Sequence, residues 1–146
     1  MIEIPGEINE YFGETDFLRY PIIEIPQKFY DFRGGIVNLA DGTLGDVSLI
    51  NSNKLTVRAN HVHEIDWHLC FLISGSIRYS WRELGEENKQ KDIVVEASQM
   101  IFTPPKVPHR MLFLEESIFV TISKLSRISD KYELDTKRFD DGYFIQ

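Results

Sequence analysis

The sequence contains one cysteine, no long apolar run and no excess of basic residues, and each of these absences excludes a class of protein. Cys70 is the lone cysteine among 146 residues, so an intrachain disulfide is impossible. The longest wholly apolar run, residues 69–73, is too short to cross a bilayer. The net charge is -7, and lysine and arginine are scattered along the chain, so we expect no nucleic-acid partner.

The first residues lack the basic segment and apolar stretch that direct secretion. Together with a single cysteine among apolar neighbours, this favours a reducing compartment, and we expect a cytoplasmic protein without membrane attachment. The length fits one domain that is large enough to bury a core.

Short segments rich in β-branched and aromatic residues alternate with turn residues along most of the chain, which predicts strands. Residues 74–76 predict a tight turn, residues 85–92 a charged hairpin loop, and only residues 7–12 a helical turn. We therefore expect an all-β sandwich or barrel. The predicted strands are 35–39, 47–50, 55–59, 68–73, 77–81, 93–95, 100–103, 110–114 and 117–123.

Four histidines lie in two segments that would form facing strands of such a fold. His61 and His63 are two residues apart, so an extended strand points both side chains to one face. His68 begins the next predicted strand on an otherwise apolar face, and His109 follows a bend stiffened by proline. All four imidazoles are therefore expected to point into the interior.

Several neutral imidazoles in a mostly apolar interior are costly unless their nitrogens find partners, and a metal ion is such a partner. We expect one divalent ion (Zn, Fe, Ni, Mn, Co or Cu), bound by His61, His63, His68 and His109. Taken singly, each histidine is more simply a hydrogen-bonded core or loop residue, and only the grouping favours a metal. An all-imidazole shell would leave the ion's charge unreduced and would lower the pKa of a bound water.

The spacing of these residues resembles the first sequence motif of the cupin superfamily. His61 and His63 match its His-X-His pair, and Gly75 matches its last glycine, with six residues between it and His68. His68 stands at the position of the motif's glutamate. The resemblance implies a four-histidine variant of the cupin metal site.

Pro104 and His109 resemble the second cupin motif, so the resemblance covers residues 36–123. It implies a single-domain double-stranded β-helix, the jelly-roll barrel, in which His61, His63 and His109 take the three histidine ligand positions. Besides His68, four positions depart from the two motifs: Leu55, Ser98, Lys106 and Phe113.

Residues 57–63 also resemble the Arg-Gly-Asn-His-X-His stretch of sugar-associated cupins, which include nucleotide-sugar ketoisomerases and deoxysugar 3,5-epimerases. These groups act largely without a metal. The resemblance implies that His61 or His63 removes a proton beside a keto group and that Arg58 lies near the sugar or its phosphate.

Three functions stay open. The first is a metal-dependent enzyme, dioxygenases included, that acts on a small polar molecule such as a carbohydrate derivative. The second is a metal-independent nucleotide-sugar isomerase or epimerase with a histidine base. The third is a non-catalytic module that binds a small ligand. Sensitivity of activity to a chelator would distinguish the first from the second, and ligand retained without turnover would indicate the third.

Two further sets of residues have a functional and a structural interpretation. Basic residues near the barrel mouth would attract an anionic ligand, or they are ordinary surface charge: Arg58, Arg78, Arg82, Lys106 and Arg110. Aromatic residues at alternate positions would stack on a sugar ring, although sheet packing is the commoner role: Trp67, Tyr79 and Trp81.

We divide the chain into an N-terminal extension (1–35) that packs on the barrel or on a partner subunit, the barrel (36–123) and a C-terminal extension (124–146). Apolar residues at 17–18 and 143–145 favour a homodimer in which the terminal segments take part. The alternative is that both ends are frayed.

Overall fold

The computed structural model describes residues 6–13, 16–25, 27–86 and 88–145. Its main elements are two five-stranded sheets, a separate hairpin and two short helices, α1 (Gly6–Phe12) and α2 (Asp130–Leu134). The strands are β1 (Ile22–Ile23), β2 (Gln27–Asp31), β3 (Gly34–Asn38), β4 (Asp46–Ser52), β5 (Val57–His63), β6 (His68–Ser74), β7 (Ser76–Trp81), β8 (Lys91–Glu96), β9 (Met100–Thr103), β10 (His109–Phe113), β11 (Ser117–Ser123) and β12 (Thr136–Arg138).

From β4 onwards, the chain passes repeatedly from one sheet to the other. One sheet has the order β1-β9-β6-β11-β4, the other has the order β12-β5-β10-β7-β8, and all pairings are antiparallel. The strands β2 and β3 form the separate hairpin. This exchange of strands between two facing sheets is the jelly-roll arrangement, so the predicted all-β jelly-roll class is confirmed.

An apolar core fills the space between the sheets because each strand turns alternate side chains inward. Leu72 of β6 and Phe119 of β11 face Ile77 of β7 and Phe113 of β10, and all four are fully buried or nearly so. Burying one such side chain stabilises the fold by about 1.5–3 kcal/mol. A second apolar cluster, which contains Trp67, packs on the outside of the first sheet.

The predicted strands 100–103 and 117–123 coincide with β9 and β11, whereas the predicted strand 55–59 has the wrong bounds and overlaps β5 only at residues 57–59. Leu55 has a φ of +64°, which places it in a left-handed turn, and β5 begins two residues later and continues to His63. The predicted tight turn is present at Gly75. A Cβ there would lie 2.2 Å from the Ser117 Oγ, so this position requires glycine.

The terminal segments pack on the sheets. Phe17 contacts Phe102, with ring centroids 4.5 Å apart, and both Phe17 and Phe144 are 2% exposed or less. These two residues, which favoured a homodimer at the sequence level, are therefore already covered within one chain, whereas Ile145 is exposed. In the described ranges, no helix has the length and apolar character that crossing a membrane requires.

Candidate active site

A β-bulge positions the first two histidines at the end of β5. His109 of β10 pairs with His61, and the next residue, Arg110, pairs with Ala59, so Asn60 is left out of the ladder. Ala59 and Asn60 both have left-handed φ values, 65° and 58°. The Asn60 side chain donates a hydrogen bond to the Phe139 carbonyl at 2.9 Å. The bulge therefore directs the following His-X-His pair inward.

Three histidines meet at this end of the fold. The Nε2 atoms of His61 and His63 are 3.0 Å apart, and the ring centroids of His61 and His109 are 4.8 Å apart. One nitrogen from each of the three rings lies within 4.8 Å of the others, and all three residues are buried. The expectation that His61 and His63 share an inward face with His109 is met.

His68 lies against this group but has a different partner. Its ring stacks on His63 with centroids 4.7 Å apart, and its Nε2–H donates to the Asp66 Oδ2 at 2.8 Å. Asp66 is fully buried, and its Oδ1 accepts the backbone N–H groups of Lys124 and Leu125 at 3.0 Å each. The structure thus gives a three-histidine group and an adjoining His63–Asp66–His68 group. A metal-ligand role for His68 stays a prediction.

Hydrogen bonds fix which nitrogens face the centre of the three-histidine group. The Nδ1–H of His109 donates to the Val107 carbonyl at 2.9 Å. The Nδ1–H of His63 donates to the Thr136 Oγ1 at 3.2 Å, since the Thr136 hydroxyl itself donates to the Tyr132 carbonyl. In both rings, Nε2 therefore carries the lone pair: that of His63 accepts the His61 Nε2–H at 3.0 Å or binds an ion, and that of His109 can accept a proton or bind an ion.

The three histidines of this group, His61, His63 and His109, have lowered pKa values and are neutral at pH 7. Burial, followed by repulsion from neighbouring histidines, lowers the pKa of His63 to about 4 and that of His109 to about 3. Burial and the nearby His109 and His63 lower the pKa of His61 further still. Burial alone would raise the pKa of Asp66, but hydrogen bonds from His68 and from the Leu125 N–H outweigh it, so this carboxyl stays ionised.

A cavity of about 260 Å³ opens in front of these side chains. His61, His68 and His109 line it, together with three arginines, Arg58, Arg127 and Arg138, and with the aromatic ring of Tyr132. Among the described residues, no aspartate or glutamate lines this cavity, so its charged side chains are all positive. Apolar residues such as Met111 and Phe119 form its floor.

The basic residues predicted to surround the mouth divide into two groups. Arg58 lines the cavity and donates to the Ser52 Oγ at 2.6 Å. The other four lie elsewhere: Arg78 pairs with Asp92, Arg82 stacks on Tyr143, Lys106 pairs with Glu64, and Arg110 is buried in β10. The aromatic residues at 67, 79 and 81 are at most 4% exposed and do not line the cavity, so sheet packing is confirmed as their role.

Four residues of the site were missed in the sequence: Asp66, Arg127, Tyr132 and Arg138. The first stands two residues before His68, a spacing that allows a carboxylate and an imidazole to meet, so a local signal existed. The other three follow β11 in the segment that was assigned to a C-terminal extension. They reach the site because β12 pairs with β5, which places Thr136 opposite His63 and Arg138 opposite His61.

Comparison with solved structures gives the fold. The chain matches a histidine-to-asparagine variant of the 3,4-ketoisomerase QdtA from Thermoanaerobacterium thermosaccharolyticum in complex with TDP-4-keto-6-deoxyglucose, with a TM-score of 0.65 and 19% identity over 85% of this chain and 91% of that one. It also matches a dTDP-4-dehydrorhamnose 3,5-epimerase from Sulfolobus tokodaii, with a TM-score of 0.62 and 18% identity over 83% of this chain and 77% of that one. A 3,4-ketoisomerase from Helicobacter canadensis matches with a TM-score of 0.64 and 15% identity over 80% of this chain and 89% of that one.

The chain has a cupin fold. The two-motif spacing, the sheet order and these structural neighbours agree on this point. No protein-family model matches the sequence, and a search of curated proteins found no match. At identities below 20%, the cupin fold is what these neighbours share with this chain, and the reaction has to be argued from the site.

Proposed function

We propose that the protein is an isomerase or epimerase of a nucleotide-linked keto sugar, with His61 as the base that removes the proton beside the keto group. The observation that carries this proposal is the composition of the cavity: imidazoles and arginines line it without a carboxylate among the described residues. His61 is chosen over His63 because it lines the cavity. Solved structures of the same fold include enzymes named for this chemistry.

The reaction needs no oxidant or reductant. The base takes a proton from the carbon next to the carbonyl, and the C–H electron pair becomes the C=C bond of an enolate. Return of a proton to the opposite face of that carbon inverts its configuration, and return to the former carbonyl carbon of an enediol moves the ketone. Arginines at the cavity wall would stabilise the negative charge on the enolate oxygen. Arg58, already oriented by Ser52, suits this role.

Replacing His61 with asparagine is expected to lower kcat by about a hundredfold or more, because a positioned general base contributes roughly 10²–10⁴ in rate. The assay is turnover of TDP-4-keto-6-deoxyglucose and uptake of deuterium from D2O at the carbon beside the keto group. Thermal unfolding of the variant serves as the control for folding. A wild-type protein that incorporates no deuterium, or a His61→Asn variant within threefold of it, would contradict the proposal.

A metal site is the second candidate function, and the geometry of the three-histidine group favours it. Two nitrogens bound at about 2.1 Å to one ion lie about 3.0 Å apart at a right angle and about 3.4 Å apart in a tetrahedral site. The observed distance of 3.0 Å between the His61 and His63 Nε2 atoms fits this range. His63 and His109 also have the Nδ1 hydrogen bonds typical of metal ligands. A divalent ion held by these residues would supply a Lewis acid for a substrate oxygen.

For this candidate, we expect about one equivalent of metal per chain in protein purified without a histidine tag, as measured by elemental analysis. The His61→Ala/His63→Ala double variant should lose it. His68→Ala distinguishes the two ligand sets, because occupancy survives in a three-histidine site and falls in a four-histidine site. Full occupancy in the double variant would rule the site out. Activity that resists a chelator would favour the metal-independent base over the metal enzyme.

We also propose that the protein forms a homodimer through the β2–β3 hairpin. Two-stranded sheets are marginally stable alone in water, and this one exposes Phe29, Tyr30, Phe32 and Ile36, with Phe32 97% exposed. Light scattering at micromolar concentration should give twice the mass of one chain, and Phe32→Ser should give the single mass. Ile128→Ser, which changes an equally exposed residue outside the hairpin, is the matched control. A monomeric wild type would contradict the proposal.

A cytoplasmic location stays a prediction, which the free and buried Cys70 supports. The third function considered, binding without catalysis, would be indicated by a ligand that binds tightly while the deuterium assay stays negative.

A further inference from the structure

Two of the three arginines that line the cavity come from the chain that follows the last strand of the first sheet. Arg127 lies between β11 and α2, and Arg138 lies at the end of β12. The chain as a whole carries a charge of -7, whereas the cavity wall presents three guanidinium groups and no carboxylate among its described lining residues; Asp46 and Glu133, which pair with two of these groups, do not line it. A cavity wall of this kind is typical of a site for an anionic ligand.

Arg127 is held in place but has hydrogen-bonding capacity left. Its Nε is 3.5 Å from the Asp46 Oδ1, its Nη2 donates to the Thr121 Oγ1 at 3.2 Å, and its guanidinium lies 5.4 Å from the Tyr132 ring centroid. The Nε atom is buried, and Asp46 holds it as an ion pair without hydrogen-bond geometry. An oxyanion in the cavity would accept charge-assisted hydrogen bonds from the donors of this guanidinium that Asp46 and Thr121 leave unused.

Arg138 has a partner that a ligand can replace. It donates two hydrogen bonds to the Glu133 carboxylate, at 2.9 and 3.1 Å, and both side chains are more than half exposed. An exposed ion pair of this kind contributes little to stability. A diphosphate, with more charge and more acceptor oxygens than one carboxylate, would therefore compete with Glu133 for this guanidinium.

We propose that Arg127 and Arg138 bind the diphosphate part of a nucleotide ligand, and that Glu133 acts as an internal competitor that limits the affinity for it. The proposal rests on the proposed nucleotide-sugar function for the identity of the ligand. It assigns the anion-binding role to the chain after β11, which includes the edge strand β12, and not to the other strands of the two sheets. Arg58, on β5, then keeps the role at the enolate oxygen of the sugar that the proposed function gives it.

The test is calorimetric titration with three probes: thymidine diphosphate, inorganic pyrophosphate and thymidine. We expect thymidine diphosphate and pyrophosphate to bind, and thymidine to bind at least tenfold more weakly than the diphosphate. Arg127→Gln and Arg138→Gln should each weaken binding of both anions by about tenfold or more, as expected for the loss of a charge-assisted hydrogen bond. Glu133→Gln should strengthen it by about threefold, because the competitor is removed.

Lys137→Gln is the matched control, since it removes the same charge from the neighbouring residue of β12, which does not line the cavity. It should leave both affinities within twofold. Arg138 and Glu133 are exposed, so their variants remain informative even if Arg127→Gln fails to fold. The proposal is overturned if neither anion binds, if Lys137→Gln weakens binding as much as Arg138→Gln, or if Glu133→Gln weakens it.

These outcomes are separable from the proposed function. Anion binding that depends on Arg127 and Arg138, together with a negative deuterium assay, would support this inference and contradict the isomerase. A positive deuterium assay, together with binding that is indifferent to both arginines, would do the reverse.

Discussion

Replacing Asp66 with alanine is expected to lower the free energy of unfolding by about 3–5 kcal/mol, as is typical when one partner of a buried charged network is removed. The carboxylate is fully buried and accepts two backbone N–H groups and the His68 Nε2–H. Without it, three donors lose this acceptor, and the attachment of the chain after β11 to the loop before β6 is weakened, although the Lys124 N–H keeps its hydrogen bond to the Trp67 carbonyl at 3.3 Å. Urea unfolding of wild type and variant measures the difference.

Two comparisons make this test specific. Asp141→Ala removes an exposed carboxylate and should change the free energy of unfolding by less than about 0.5 kcal/mol. Asp66→Asn keeps the shape of the side chain and one acceptor oxygen. Its free energy of unfolding should therefore fall by an amount between those of the two alanine variants. If Asp66→Ala costs no more than Asp141→Ala, the carboxylate does not hold the two segments together.

Acid should destabilise the chelator-treated protein between pH 7.5 and 5.5, well above the range in which ordinary carboxylates are protonated. In the unfolded chain the histidines take up protons near their usual pKa of 6.5, whereas the folded protein holds the pKa of His63 at about 4 and that of His109 at about 3. The unfolded state therefore binds more protons in this window, and stability falls as the pH falls.

The size of this loss of stability follows from the three histidines whose pKa is lowered in the folded state: His61, His63 and His109. Each contributes about 1.4 kcal/mol per pH unit below its ordinary pKa, so we expect a loss of about 4 kcal/mol at pH 5.5 relative to pH 7.5. Urea unfolding across this range measures it, and changing His109 to asparagine should reduce the loss by about a third. A flat profile would show that these imidazoles are protonated as easily in the folded state as in the unfolded one.

The inward-facing histidines could be predicted because strand geometry has a fixed period. His61 and His63 had to share a face once β5 was extended, and the proline-rich bend before β10 made His109 a plausible neighbour. Which nitrogens meet could not be predicted. Spacing says nothing about ring rotation, and that rotation turns the His68 Nε2 to Asp66 and those of His61 and His63 towards each other.

The part of the cavity wall that comes from residues after β11 could not be predicted from the sequence. β12 is three residues long and pairs with β5 across more than seventy residues of chain. Its position depends on long-range hydrogen bonds, such as those from the Ile65 and Asp66 N–H groups to the Asp135 carboxylate. Local periodicity cannot reveal a contact of that kind. Tyr132 and Arg138 were therefore assigned to a C-terminal extension without a predicted role.

Because α2 and β12 pack at the edge of β5, the cavity wall is built from two separate parts of the chain. Strands β5, β6 and β10 carry the histidines, whereas residues 124–138 supply Arg127, Tyr132 and Arg138. Substitutions in this short segment can therefore change the cavity wall without altering the strands that carry the histidines. A chimaera that carries the corresponding segment of another cupin is a natural starting point for redesign.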